Sequence, residues 1–216
     1  NSDEAERMVF DGVIPHIAGA RRGEFNHRFA QPSANTLQGP NNLFPFTDVE
    51  QTDPLTGLHN RRVLDETLRQ FCASPKRPQA SLIMIDVDNF KTLNDTLGHL
   101  AGDRILQAIG QLIRSSIRSQ DLAFRTGGDE FVIFMPDAVT DDARKIGDRL
   151  VNLGDELGKT LHLSPPLGVS AGVYSVPADS DLSAQAMLDQ ADKHLYELKQ
   201  QRKNRDNTPC RLTSSR

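Results

Sequence analysis

The residues best suited to do chemistry cluster in Phe124-Arg125-Thr126-Gly127-Gly128-Asp129-Glu130-Phe131, with apolar Val132-Ile133-Phe134-Met135 directly behind. Adjacent glycines between an apolar entry and a β-rich exit predict a hairpin, and its tip carries two carboxylates. Like charges on a tight turn repel unless a cation neutralises them, so Asp129 and Glu130 are candidate metal or catalytic groups. A second acidic site follows the apolar run Ala80-Ser-Leu-Ile-Met-Ile85, which reads as a central strand and ends in Asp86-Val87-Asp88. Carboxylates at the mouth of a buried strand carry a desolvation cost. Asp86 directly follows the apolar run and is the preferred ligand, with Asp88 as the spare. If the two strands are neighbours, the acids form a hard all-oxygen cluster suited to Mg²⁺, completed by the phosphates of a nucleoside triphosphate. Spacing alone leaves a solvated acidic turn open as the alternative.

These residues must be positioned by the rest of the chain. Asp53-Pro54 and Thr56-Gly57 predict a turn, with Asp53 either paired with Arg61 to brace it or simply exposed to solvent. Asn60 is a suitable cap for a helix over 61–73 that Ser74-Pro75 closes. Ile105, Leu106, Ile109, Leu112, Ile113 and Ile117 fall at helical spacing within Leu100–Arg118. A second helix fits Asp141–Leu157, a strand Leu167–Val176 and a final helix Leu182–Lys199, with Cys210–Thr213 as a last edge strand. The implied class is α/β (α+β), a mixed central sheet flanked by helices. Residues 1–50 hold one amphipathic stretch, with Val9, Phe10, Val13 and Ile14 on its apolar face, then a polar run rich in Pro, Gly and Asn. They read as a linker or as a regulatory or dimerising arm, leaving 51–216 as the main domain.

Bulk properties narrow the function further. With 25 basic against 29 acidic groups and net charge −4, the chain lacks the basic excess of a nucleic-acid binder, so a mononucleotide fits better than a polymer. Cys72 and Cys210 lie far apart and fit reduced thiols in a cytoplasmic setting. No uncharged apolar run approaches the roughly 18 to 20 residues of a membrane span, although a chain beginning at Asn1 is compatible with an anchor elsewhere.

The octapeptide resembles the signature of the GGDEF family, the diguanylate cyclases. Asp53-Pro-Leu-Thr-Gly-Leu58 with Asn60-Arg61-Arg62, Asp86-Val-Asp-Asn-Phe-Lys-Thr-Leu-Asn-Asp95, Gly98-His99 and Gly102-Asp103 follow in that family's order over about residues 51–206. The resemblance implies a nucleotidyl-cyclase or polymerase-palm type of fold and condensation of two GTP into cyclic di-GMP with release of two pyrophosphates. It implies Mg²⁺ or Mn²⁺ as cofactor, a homodimer in which each protomer presents one nucleotide, and cyclic di-GMP as inhibitor as well as product. By the same resemblance, Asp86, the Val87 carbonyl and Asp129 hold metal, while Asp129 and Glu130 are catalytic. Asn94 and Asp103 read guanine, whose paired N–H donors a carboxylate accepts together; the plainer role for Asp103 is a helix cap. The backbone amides of Phe90 and Lys91, with Lys199 and Lys203, bind phosphate. Lys203 stands where the family commonly has arginine and Arg202 where it has glycine, so Arg202 is a candidate to take over part of the phosphate grip. Arg118-Ser-Gln-Asp121 matches the RxxD inhibitory motif, with Arg149 as its second arm; a local ion pair is the alternative. His99 reads as a structural hydrogen-bonder. A non-catalytic sensor of GTP or cyclic di-GMP is the rival function, against which the complete acidic set counts.

Overall fold

The computed structural model describes residues 51–206, the last four as backbone only. The expectations for residues 1–50 and for an edge strand at 210–213 fall outside these residues. Among the described residues five strands and five helices follow in the order β1 (His59–Asn60), α1 (Arg61–Ala73), β2 (Ala80–Asp88), α2 (Phe90–Leu97), α3 (His99–Ser116), β3 (Leu122–Gly127), β4 (Glu130–Pro136), α4 (Thr140–Thr160), β5 (Gly168–Val176) and α5 (Ala184–Asp206). The strands form one mixed sheet in the order β1-β3-β4-β2-β5, with β1 parallel to β3 and the other pairs antiparallel.

Strand β2 lies between β4 and β5 and is covered on both faces, which is why its sequence is a nearly unbroken apolar run. Ile83, Ile85 and Val87 join Phe131 and Ile133 under α3 and α4, packing on Ile105, Ile109, Leu112 and Leu150. On the opposite face Leu82, Phe124, Val132 and Phe134 meet Leu64 and Leu68 of α1 and Met187 and Ala191 of α5. The two-residue alternation of the strands thus feeds two separate cores.

The expected mixed sheet with flanking helices is the observed one. Asn60 caps α1 by accepting the Val63 amide at 3.2 Å, and Ser74 ends that helix. Helix ends shift by a few residues elsewhere, the largest change being α5, which continues past Lys199 to Asp206. Strand β1 was not anticipated, since its two residues carry no apolar pattern and exist through pairing with Phe124 and Arg125. The expected Asp53–Arg61 brace is corrected: Arg61 pairs with Asp65 one turn along α1 at 2.8 Å, and Asp53 turns to Arg125 on β3. A guanidinium on the first turn of an exposed helix finds its i,i+4 neighbour more readily than a turn behind it.

Candidate functional site

The β2–β4 pairing runs from Ala80↔Pro136 to Asp86↔Glu130, so the acidic end of the central strand lies beside the acidic tip of the hairpin. The Val87 amide also donates to the Asp129 carbonyl at 3.2 Å, which ties the tip to the strand one residue beyond Asp86. Gly127 pairs with Glu130 and leaves Gly128-Asp129 as the turn, with Gly128 at φ +45°. A Cβ on Gly128 would meet nothing within 4 Å, so glycine is required there for backbone conformation rather than for space.

Arg125 fixes this tip. Its Nε and Nη2 donate to the Gly128 carbonyl at 3.0 and 2.7 Å, while Nη1 donates to both Asp53 oxygens at 3.2 and 3.3 Å. Asp53 in turn accepts from the Thr56 amide and hydroxyl at 2.9 and 2.7 Å. Burial opposes the Asp53 charge, but the Thr56 and Arg125 hydrogen bonds outweigh it and hold the carboxyl below its ordinary range.

Around the acids the electrostatics are strained. Burial is the main cause pushing Asp129 above the usual carboxylate range, and Asp86 adds to it while Lys199 and Arg125 offset part. Burial likewise raises Glu130, with Asp86, Asp129 and Asp192 adding like-charge repulsion. The Lys199 ammonium pairs with Asp86. Among the described residues no three acidic, histidine or cysteine side chains form a ready-made metal cage. The donor set nonetheless suits a hard cation: carboxylate oxygens of unlike origin crowd one strand end, and a lysine cation already sits against one of them. A cavity of about 320 Å³ opens beside it, walled by Arg61, Met84, Asp86, Thr126, Glu130 and Lys199 among others. Of the expected site residues it is walled by Asp86, Glu130 and Lys199, while Val87, Asn94, Asp103 and Asp129 are not among its walls.

The other expected residues sit on α2 and α3. Asn89, at φ +61°, starts α2 without a side-chain cap, so the first-turn amides of Phe90 and Lys91 have no competing side-chain acceptor. Asn94 on α2 reaches His99 Nδ1 at 3.0 Å. A Cβ on Gly102 would run into the Asn94 Oδ1, which explains a glycine inside α3 next to Asp103. Asp103 is exposed and lies inside α3 rather than at its cap, which removes the capping role. His99 is the structural hydrogen-bonder expected of it, with the refinement that its partner is Asn94. Lys203 lies on α5, in the stretch described as backbone only.

Arg202 departs from the expectation. Its Nη1 lies 3.1 Å from the Val169 carbonyl, 3.2 Å from Ser170 Oγ and 3.4 Å from Asp88 Oδ2, so it faces the sheet. Asp88, the spare carboxylate, is engaged as well: Ser170 Oγ lies 2.9 Å from each of its oxygens. Burial raises Asp88, and the Ser170 hydrogen bond, Lys199 and Arg202 pull it back.

Arg118 and Asp121 form a turn away from this site. Asp121 is 6% exposed and accepts the Arg118 amide at 2.9 Å, while the Arg118 guanidinium reaches Asp142 on α4 at 3.5 Å. Burial raises the Asp121 carboxyl, and the Arg118 contacts only partly compensate. Arg149 is exposed two turns along α4 from Asp142.

Comparison with known proteins identifies the family. Residues 50–205 match the family described as "Diguanylate cyclase, GGDEF domain". Diguanylate cyclase DgcS of Shewanella oneidensis is 41% identical over 155 residues, covering 70% of this chain and 50% of that protein. Response regulator PleD of Caulobacter vibrioides is 36% identical over 169 residues, 76% of this chain and 37% of that one. The chain therefore spans half or less of these relatives. Among solved structures, diguanylate cyclase SiaD of Pseudomonas aeruginosa, in complex with its activator SiaC, superposes with a TM-score of 0.63 at 33% identity, covering 71% of this chain and 60% of that one. The coiled coil and GGDEF domain of DgcB from Caulobacter crescentus, in complex with c-di-GMP, gives 0.61 at 25%, covering 71% and 83%. With the family match extending over most of its length and the signature hairpin set against the acidic strand end, the chain belongs to the GGDEF diguanylate cyclase family.

Proposed function

We propose that the chain is a diguanylate cyclase domain that condenses two GTP into cyclic di-GMP and two pyrophosphates, with residues 51–216 as the catalytic unit and 1–50 as a linker or a regulatory or dimerising arm. The observation that carries this reading is the pairing of Asp86 with Glu130 and of Val87 with Asp129, which sets three carboxylates at one sheet end next to Lys199. Relatives named diguanylate cyclase, and a related GGDEF domain solved with c-di-GMP, support the nucleotide chemistry.

Asp86, the Val87 carbonyl and Asp129 would hold Mg²⁺ or Mn²⁺, which when bound supplies charge neutralisation at the triphosphate and makes the attacking 3′-hydroxyl more acidic. The Asp129 carboxylate would accept the hydroxyl proton, a duty that competes with its share of the cation. Glu130 shares the burden of the cation. Lys199 transfers its charge from Asp86 to the phosphates, and the α2 amides of Phe90 and Lys91 cradle them. The Lys203 ammonium adds a second positive charge to that grip. Asn94, held by His99, and Asp103 accept and donate along the guanine edge. Because the product is two-fold symmetric, two protomers face each other and each presents one nucleotide. Arg118, Asp121 and Arg149 take the product as a feedback inhibitor.

Incubation with GTP and Mg²⁺ at several protein concentrations, resolved by chromatography, tests the reading. Cyclic dinucleotide and pyrophosphate should form at a rate that rises more than linearly with protein. Nucleotide binding without product at high concentration would make the chain a sensor instead.

A further inference from the structure

Two cation–carboxylate contacts join α5 to β2 side by side. Lys199 and Arg202 lie three residues apart, on one face of a helix, and Asp86 and Asp88 lie two apart, on one face of a strand. The register is matched: the first lysine meets the first aspartate and the arginine meets the second. Among the described side chains, no buried apolar residue holds this part of α5. Leu195 is the last buried apolar residue of the helix among the described side chains, pressed so closely on β5 that a Cβ on Gly172 would collide with its backbone. Beyond it Tyr196 and Leu198 are exposed. The helix therefore leaves its apolar contact at Leu195, and the two ionic rungs fix where the following turns lie.

The Arg202 rung is the better anchored. Its three acceptors belong to β2 and β5, and Ser170 is buried in the sheet while holding Asp88 through both carboxylate oxygens. We propose that Arg202 is a positioning residue: it pins α5 to the Asp88–Ser170 pair and thereby keeps Lys199 within reach of the triphosphate when the lysine leaves Asp86. This role rests on the cyclase reading above. It differs from a direct phosphate contact, because the Nη1 that meets the sheet acts on the nucleotide through Lys199.

Calorimetric titration of a non-hydrolysable GTP analogue with Mg²⁺ into wild type, Lys199→Ala, Arg202→Ala and the double variant separates the two roles. Arg202→Ala should weaken binding by about tenfold, the equivalent of one charge-assisted hydrogen bond. The double variant should bind no more weakly than Lys199→Ala alone, since there is no longer a lysine to position. Arg202→Lys, which keeps the charge on a side chain one bond shorter than the Nη1 that meets all three acceptors, should fall between Arg202→Ala and wild type, and it supplies a second series should the alanine variant fail to fold. Losses that multiply in the double variant, or an Arg202→Ala affinity equal to wild type, overturn the positioning role. A wild-type chain that does not bind the analogue overturns the cyclase reading and the positioning role together, whereas tight wild-type binding with multiplying losses overturns the positioning role alone.

Discussion

Replacing Arg125 by alanine should both destabilise the fold and displace the hairpin tip. The Arg125 and Asp53 side chains are 14% and 18% exposed, so their pair is not the well-hydrated surface kind that contributes close to nothing. Two of the four Arg125 contacts go to a mostly buried carboxylate and two to a carbonyl on an exposed turn that water can reach. Counting about 2 kcal/mol for the charged pair and less than about 1 kcal/mol for the carbonyl gives a loss of about 2–3 kcal/mol. The chain has no tryptophan, so urea unfolding is best followed by helical circular dichroism. The same four-variant cycle with Asp53→Ala should return a coupling of about 1.5–2 kcal/mol with an unchanged denaturant slope. A tip shifted by about 1 Å should also lower GTP cyclisation on the order of a hundredfold. A coupling below about 0.5 kcal/mol, the range of exposed pairs, would refute the view that Arg125 fixes the tip through Asp53.

The Asp53 carboxyl is held below its ordinary value of 3.8, so its stabilisation is complete above that value and is lost as pH falls through the folded value. Unfolding midpoints measured from neutral to strongly acid pH should fall less steeply for Asp53→Asn than for wild type at the acid end; parallel curves would show that the carboxylate contributes nothing. Gly128→Ala places a Cβ at φ +45° and should cost about 1 kcal/mol in denaturant unfolding without a steric clash, and an unchanged midpoint would mean the turn relaxes freely. Arg118→Ala should abolish inhibition by added cyclic di-GMP in the GTP assay. Asp121→Ala should in addition lower the unfolding midpoint, because the Arg118 amide loses its buried acceptor.

Much of the architecture was legible because the signals were local. The apolar run ending at Asp86 is a central strand, the double glycine is a hairpin turn, and Asn60 and Ser74 bound α1 where their capping chemistry places them. Long-range polar choices were not legible. Asp53 had a guanidinium close in sequence at Arg61, and nothing in the spacing revealed that Arg125, paired through β1 and β3, lies nearer in space. The roles of Asp88 and Arg202 depended on Ser170 of β5, whose position follows only from the strand order. Reading Asp121 with Arg118 as an inhibitory motif or a local ion pair gave no sign of its burial, yet the turn folds it inward onto the Arg118 amide. The acidic cluster itself was anticipated because one part ends an apolar strand and the other opens one; its pairing register had to come from the sheet.

Divalent-ion uptake tests the proposed site most directly. Mn²⁺ binding followed by electron paramagnetic resonance in the presence of a non-hydrolysable GTP analogue should be tight in the wild-type chain and weaker by at least about tenfold in Asp86→Asn and in Asp129→Asn, each of which removes one charged oxygen donor. Mn²⁺ affinity that stays the same in both variants would contradict the claim that the β2 end and the hairpin tip hold one cation between them.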